Sequence, residues 1–172
     1  MITIIFSEGK TSNPILKLFR PLVHKYRSTH VSFGIEVDGK PSIFHMSYKG
    51  AIRTPRDRFF VKNDLVKEYR ILPDLSDELK THLQYLGKAK YDYPSAIVHM
   101  ITLLFHPLQM LLIFFKIRNM FYCANFARQL DSHDKVKAWR KIDKRWASID
   151  ELQAACENSP EFEDITSSSL HG

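Results

Sequence analysis

Asn119-Met120-Phe121-Tyr122-Cys123-Ala124-Asn125-Phe126-Ala127-Arg128-Gln129-Leu130 reads as a helix whose first turn carries a cysteine. Phe126, Ala127 and Leu130 recur at helical spacing behind Cys123, so the helix has an apolar face to bury. A thiol at a helix N-terminus meets unpaired backbone N–H groups and the positive end of the macrodipole. That position predicts a lowered thiol pKa and more thiolate, the nucleophilic form. The same N–H groups suit a developing oxyanion. The competing reading is packing alone, because free cysteine is among the most buried residue types. Asn125 reads as a helix-surface amide, with a substrate contact as the alternative.

Outward from this helix, the clearest partner is a strand pair. Thr29-His30-Val31-Ser32-Phe33-Gly34-Ile35-Glu36-Val37 alternates, with Val31, Phe33, Ile35 and Val37 on one face and His30, Ser32, Gly34 and Glu36 on the other. Asp38-Gly39 is a turn signal, and Lys40-Pro41 is expected to lengthen the loop. The return strand is Ser42 to Tyr48. Such a hairpin can bring His45 back beside the start of the first strand, near His30, although the register itself is not readable from the sequence. Taken singly, His30 reads as a surface histidine and His45 as a hydrogen-bonded core histidine.

Ile2 to Phe6 is β-branched and apolar, which suits a strand covered on both faces. Asn13 and Pro14 open a short helix through Phe19. Ala51 to Thr54 and Leu65 to Leu72 are further strands, joined by the basic and aromatic link Pro55 to Phe60. A helix from Ser76 to about Leu86 takes Ser76 or Asp77 as cap and buries Leu79, Leu83 and Leu86, with Gly87 ending it. Lys90-Tyr91-Asp92-Tyr93-Pro94 is an extended link, and Asp131 to Asp143 is charged and partly exposed. Ser148 with Glu151 forms a capping box for a last helix, whose apolar side is Ile149, Leu152 and Ala155. From about residue 158 the chain is acidic, then Ser-rich, and reads as a loose tail. The expectation is one α+β domain over residues 1–172, with an antiparallel sheet packed on the cysteine helix.

The chain has 172 residues, 44% hydrophobic and 26% charged, which suits a folded domain with a real core. Its formal charge of +6 and pI near 9.3 fit a nucleic acid, an anionic surface, or solubility alone. The basic residues are scattered and no nucleic-acid motif accompanies them, so nucleic acid is not an expected partner. Two cysteines, Cys123 and Cys156, make no disulfide framework. The short N-terminal apolar run lacks a preceding basic region and does not read as a secretory signal, so a cytoplasmic location is expected. His24, His82 and His133 lie in polar surroundings and are expected to be solvated. No histidine pair shows ligand spacing with a carboxylate or thiol, so neither metal nor cofactor is expected.

Residues 96–117 form the most apolar stretch, interrupted by His99, His106, Pro107 and Gln109. About 20 apolar residues suffice to span a bilayer. A single span would put His30 and Cys123 on opposite sides of a membrane. If the two act together, the stretch is a buried helical insertion, a lid, or a hairpin entering a membrane surface and returning. The last option implies peripheral membrane association and a lipid or acylated substrate.

Taken together, Thr29-His30-Val31-Ser32-Phe33-Gly34-Ile35-Glu36-Val37, then Ile43-Phe44-His45, Lys90-Tyr91-Asp92-Tyr93 and Phe121-Tyr122-Cys123-Ala124-Asn125-Phe126 resemble the circularly permuted papain-fold cysteine hydrolases. This is the permuted branch of the NlpC-type peptidase superfamily, related to lecithin:retinol acyltransferase. The resemblance runs from about Ile2 to Leu152. It implies Cys123 as nucleophile, His30 as general base and His45 as the group orienting that base. After the cysteine many relatives carry Ser-Glu, where this chain has Ala124-Asn125. The implied activity is a thiol-dependent hydrolase or acyltransferase, peptidase-, amidase- or thioesterase-like, acting on an amide or ester of a peptide, acylated or lipid substrate. The rival expectation is a non-enzymatic membrane-associated or interaction protein on the same fold, in which Cys123 is merely buried. A raised Cys123 pKa together with an unreactive thiol would favour the rival. The oligomeric state is not specified by the sequence.

Overall fold

The computed structural model describes residues 1–10, 28–47, 49–91, 120–121, 123–144 and 147–169. Its centre is a six-stranded antiparallel sheet in the order β4-β3-β2-β1-β5-β8. The strands are β1 (Thr3–Gly9), β2 (His30–Val37), β3 (Lys40–Ser47), β4 (Gly50–Pro55), β5 (Asn63–Ile71) and β8 (Phe162–Asp164). A two-stranded parallel ribbon pairs β6 (Lys90–Tyr91) with β7 (Met120–Phe121). The described helices are α1 (Arg56–Lys62), α2 (Ser76–Leu83), α3 (Cys123–Leu130), α4 (Ile149–Glu157) and α5 (Thr166–Ser169). A 3₁₀ turn at Lys137–Trp139 lies between α3 and α4.

β1 is central, flanked by β2 and β5. Its Ile4, Ile5 and Phe6 are all fully buried, so both faces of the sheet are covered. On one face, Ile4, Phe6, Val31, Phe33, Ile35, Phe44 and Met46 join α3 and α4 in the main core. This is the face expected from the alternation in β2. On the other, Ile5 and Ile43 pack on Phe59 of α1.

Helix α1 is a departure from the sequence reading, which took Pro55 to Phe60 as a link between strands. Arg56 holds it down. The guanidinium donates to both carboxylate oxygens of Glu68 at 2.9 and 2.6 Å, and Thr3 donates to the same carboxylate at 2.8 Å. Glu68 is 2% exposed, so losing its partner would strand a buried charge, at a cost of about 3–5 kcal/mol.

Several boundaries also moved. The β2–β3 loop is only Asp38-Gly39, with φ of 53° and 71°, as a type I′ turn requires, while Lys40 and Pro41 already pair with Val37 and Glu36. In α2 neither Ser76 nor Asp77 caps the helix; Asp74 instead accepts from Ser76 N at 3.0 Å. Glu78 and His82 are its buried residues, and Leu79 and Leu83 are only partly buried. The capping box of α4 is present, Ser148 Oγ accepting from Glu151 N at 3.1 Å. The segment read as a loose tail instead adds β8 to the sheet edge against β5. In the charged 131–143 segment, Asp131, Val136 and Trp139 are fully buried. The helix expected after Pro14 and the apolar stretch 96–117 lie outside the described residues. Among the described residues, no helix is long and apolar enough to cross a membrane.

Candidate active site

The cysteine helix is anchored along its length. Phe126 wedges between Phe44 and His82, at ring distances of 5.2 and 4.3 Å. Buried Arg128 donates to the carbonyls of Ile142 and Asp131 at 3.1 and 3.2 Å and to Asp134 at 2.7 Å. These contacts fix α3 to the segment that follows it, which the sequence did not reveal. Asn125 is buried, not a surface amide.

Cys123, the first residue of α3, is 7% exposed. Burial pushes its thiol up to about 11, against the pull of the Val31, Ala124 and Cys123 backbone N–H groups. The expected lowering by the helix N-terminus is present in direction but loses to desolvation. Cys156 is a second free thiol, also buried and also raised.

His30 opens β2 and His45 lies in β3, and the hairpin brings them together. His30 Nε2 and His45 Nδ1 are 3.3 Å apart, with the rings edge-on at 88°. The regular β2–β3 ladder runs only from Phe33–Phe44 to Val37–Lys40, so the two histidines sit beyond its last pair. His45 Nε2 is 3.1 Å from Thr54 Oγ1 on β4. Phe59 of α1 packs on both rings, 6.1 and 5.0 Å away. Neither Thr54 nor Phe59 was singled out from the sequence. Thr54 needed the β3–β4 register, and Phe59 needed α1.

Burial lowers the His30 pKa to about 3, with His45 adding to the effect. Burial lowers His45 to about 4, opposed by the Met46 backbone. Both imidazoles are neutral at pH 7. Ser7, opposite His30 in the β1–β2 ladder, and Ser32 carry buried hydroxyls without a hydrogen-bond partner among the described residues.

The thiol touches the strand that carries His30 at the His30–Val31 peptide. The Val31 N–H that lies against the Cys123 sulfur belongs to the amide that His30 forms with its neighbour. Among the described residues no hydrogen bond joins the thiol to either ring. The His30 ring faces His45 and Phe59 instead. The three expected site residues therefore do not form one constellation: His30 and His45 pack with Phe59 on one face of the sheet, Cys123 lies with Val31 in the core on the other, and the imidazole–thiol contact is not made.

A separate cavity of about 270 Å³ lies at the other end of α3, lined by Glu78, His82, Tyr85, Gln129 and Lys144 among others. Its charged groups are already engaged, Glu78 by His133 and Lys135, and Lys144 by Asp134. His82 is 3% exposed and its Nε2 lies 2.9 Å from the Phe126 carbonyl, so it is not the solvated histidine expected. His133 is exposed and pairs with Glu78. Among the described residues no three His, Cys, Asp or Glu side chains converge on a metal-sized site.

Comparison with protein-family models, with curated proteins and with solved structures finds no match to this chain.

Proposed function

We propose that the protein is a cysteine-dependent hydrolase or acyltransferase acting on an amide or ester carbonyl, with Cys123 as nucleophile, His30 as general base and His45 as its orienting partner. The observation that carries this reading is a helix-N-terminal thiol lying against the Val31 N–H, one residue along the strand from a histidine that is paired with a second histidine. The sequence resemblance to permuted papain-fold hydrolases supports the same assignment and the permuted papain-like description of the fold.

His30 Nδ1 takes the thiol proton as the sulfur attacks the carbonyl carbon. The oxyanion that forms is held by the N–H groups at the start of α3. His30 then gives its proton to the departing amine or alcohol, leaving an acyl group on Cys123. Water or a second acceptor, deprotonated by His30, removes that acyl group and restores the thiol.

The resting site is neutral. Burial favours the neutral thiol and the neutral imidazole alike, so moving the thiol proton to His30 is uphill in the resting site. Thiolate is therefore not stored in the resting site, and turnover requires a rearrangement at the start of β2 that carries the His30 imidazole from the Phe59 face to the sulfur.

The test is acyl capture from p-nitrophenyl esters of short and long acids, with peptide mapping to locate the acyl group and Cys156 as internal control. Cys123 should be acylated selectively, and His30→Ala should slow that step by roughly 10²–10⁴. Equal labelling of both cysteines, or an unchanged rate in His30→Ala, removes the proposal. The second reading, a non-enzymatic interaction protein in which Cys123 only packs, is favoured by the raised thiol pKa and by its burial. It expects Cys123 to be inert in this assay.

A further inference from the structure

We propose that Thr54 is a positioning residue, whose hydroxyl accepts the Nε2 proton of His45 and thereby leaves His30 Nδ1 free to act as a base. The inference rests on the thiol chemistry proposed for Cys123 and extends it to a residue two strands away from His30.

A neutral imidazole carries one N–H and one lone pair. The contacts run from His30 Nε2 to His45 Nδ1 at 3.3 Å and from His45 Nε2 to Thr54 Oγ1 at 3.1 Å. Two proton orders satisfy them. In the first, His45 Nε2–H donates to Thr54, His45 Nδ1 accepts from His30 Nε2–H, and His30 Nδ1 keeps its lone pair. In the second, Thr54 O–H donates to His45 Nε2 and His45 Nδ1–H donates to His30 Nε2. His30 must then carry its own proton on Nδ1, and no ring nitrogen remains to take a proton from the thiol. Only the first order is competent, and the Thr54 oxygen is what accepts in it.

The geometry holds this contact in place. Thr54 pairs with Ile43 in the β3–β4 ladder, and His45 pairs with Ile52, so Thr54 and His45 are diagonal neighbours on one sheet face. Phe59 packs on both histidine rings, and the Met46 backbone is a further hydrogen-bond partner of His45.

The test combines long-range ¹⁵N–¹H spectra of the imidazoles with Cys123 acylation rates, in the parent, Thr54→Ser and Thr54→Val. Valine keeps the shape and suits a strand, so the fold should survive. The parent and Thr54→Ser should show His45 protonated on Nε2 and His30 on Nε2. Thr54→Val should show mixed tautomers and acylation slowed on the order of 10–100-fold, with KM within about twofold and activity restored by serine. A parent His45 protonated on Nδ1, or a valine variant with unchanged tautomers and rate, overturns the proposal. If the parent captures no acyl group, the thiol reading fails, and the spectra alone still decide what Thr54 does to His45.

Discussion

At the scale of single residues, burial outweighs the local signals written in the sequence. Cys123 has the helix-N-terminal amides that favour a thiolate, yet desolvation sets its pKa near 11. His82 sits in a polar run, yet it is stacked on Phe126 and lowered by burial to about 4. Its folded-state pKa lies below the ordinary 6.5, so the folded protein binds fewer protons than the unfolded chain. Stability from neutral His82 is full above about pH 6.5 and is lost as pH falls toward 4. Between pH 7 and pH 5 this one group should cost about 2 kcal/mol. Urea unfolding at the two pH values should show a loss that much smaller in His82→Gln than in the parent. His30 and His45 act in both proteins and cancel from the comparison. Equal losses would mean that His82 is not held neutral.

At the scale of elements, short pieces exist because of what they touch. Helix α1 has seven residues and one buried side chain, Phe59, too little to form a helix alone. Its Arg56–Glu68 pair and the contact of Phe59 with both histidines hold it on the sheet. β4 shows the same dependence at Gly50. That residue has φ of 102°, and a Cβ there would run into the Ala89 carbonyl, which accepts from Ala51 N at 3.2 Å. Gly50→Ala should therefore destabilise the fold by about 2 kcal/mol or more, through both backbone strain and collision. A shift in the urea midpoint measures this, and a neutral substitution would mean that β4 is free to move away from the Ala89 loop.

At the scale of the whole molecule, elements distant in sequence close the structure. β8 covers the outer edge of β5, and its Phe162 lies 5.4 Å from the buried ring of Trp139. Ser28 donates to Gln153 at 2.7 Å, tying the entry to β2 to α4 across 125 residues. Truncation after Ser159 should remove a strand edge and a core aromatic together. Losing a buried Phe alone costs about 3–5 kcal/mol. The melting temperature should fall, and light scattering should reveal association through the uncovered β5 edge. A truncated chain that melts as the parent does would show β8 to be a passive addition.

The sequence by itself determined what local patterning can carry. The alternation of Val31, Phe33 and Ile35 set the core face of β2, Asp38-Gly39 set the hairpin, and Ser148 with Glu151 set the start of α4. That hairpin allowed His45 to return near His30, but the two-residue turn and the register that fix the 3.3 Å approach came from the structure, where Lys40 and Pro41 pair instead of lengthening the loop. Only the tertiary structure decided the rest. Helix α1 and strand β8 carry little pattern of their own and form on contacts that span the chain. Thr54 and Phe59 reached the histidines through strand register and helix placement, which no local spacing encodes. The pKa values of Cys123, His30 and His82 were set by the loss of water around them, a property of the packed molecule and not of the residues' neighbours in sequence.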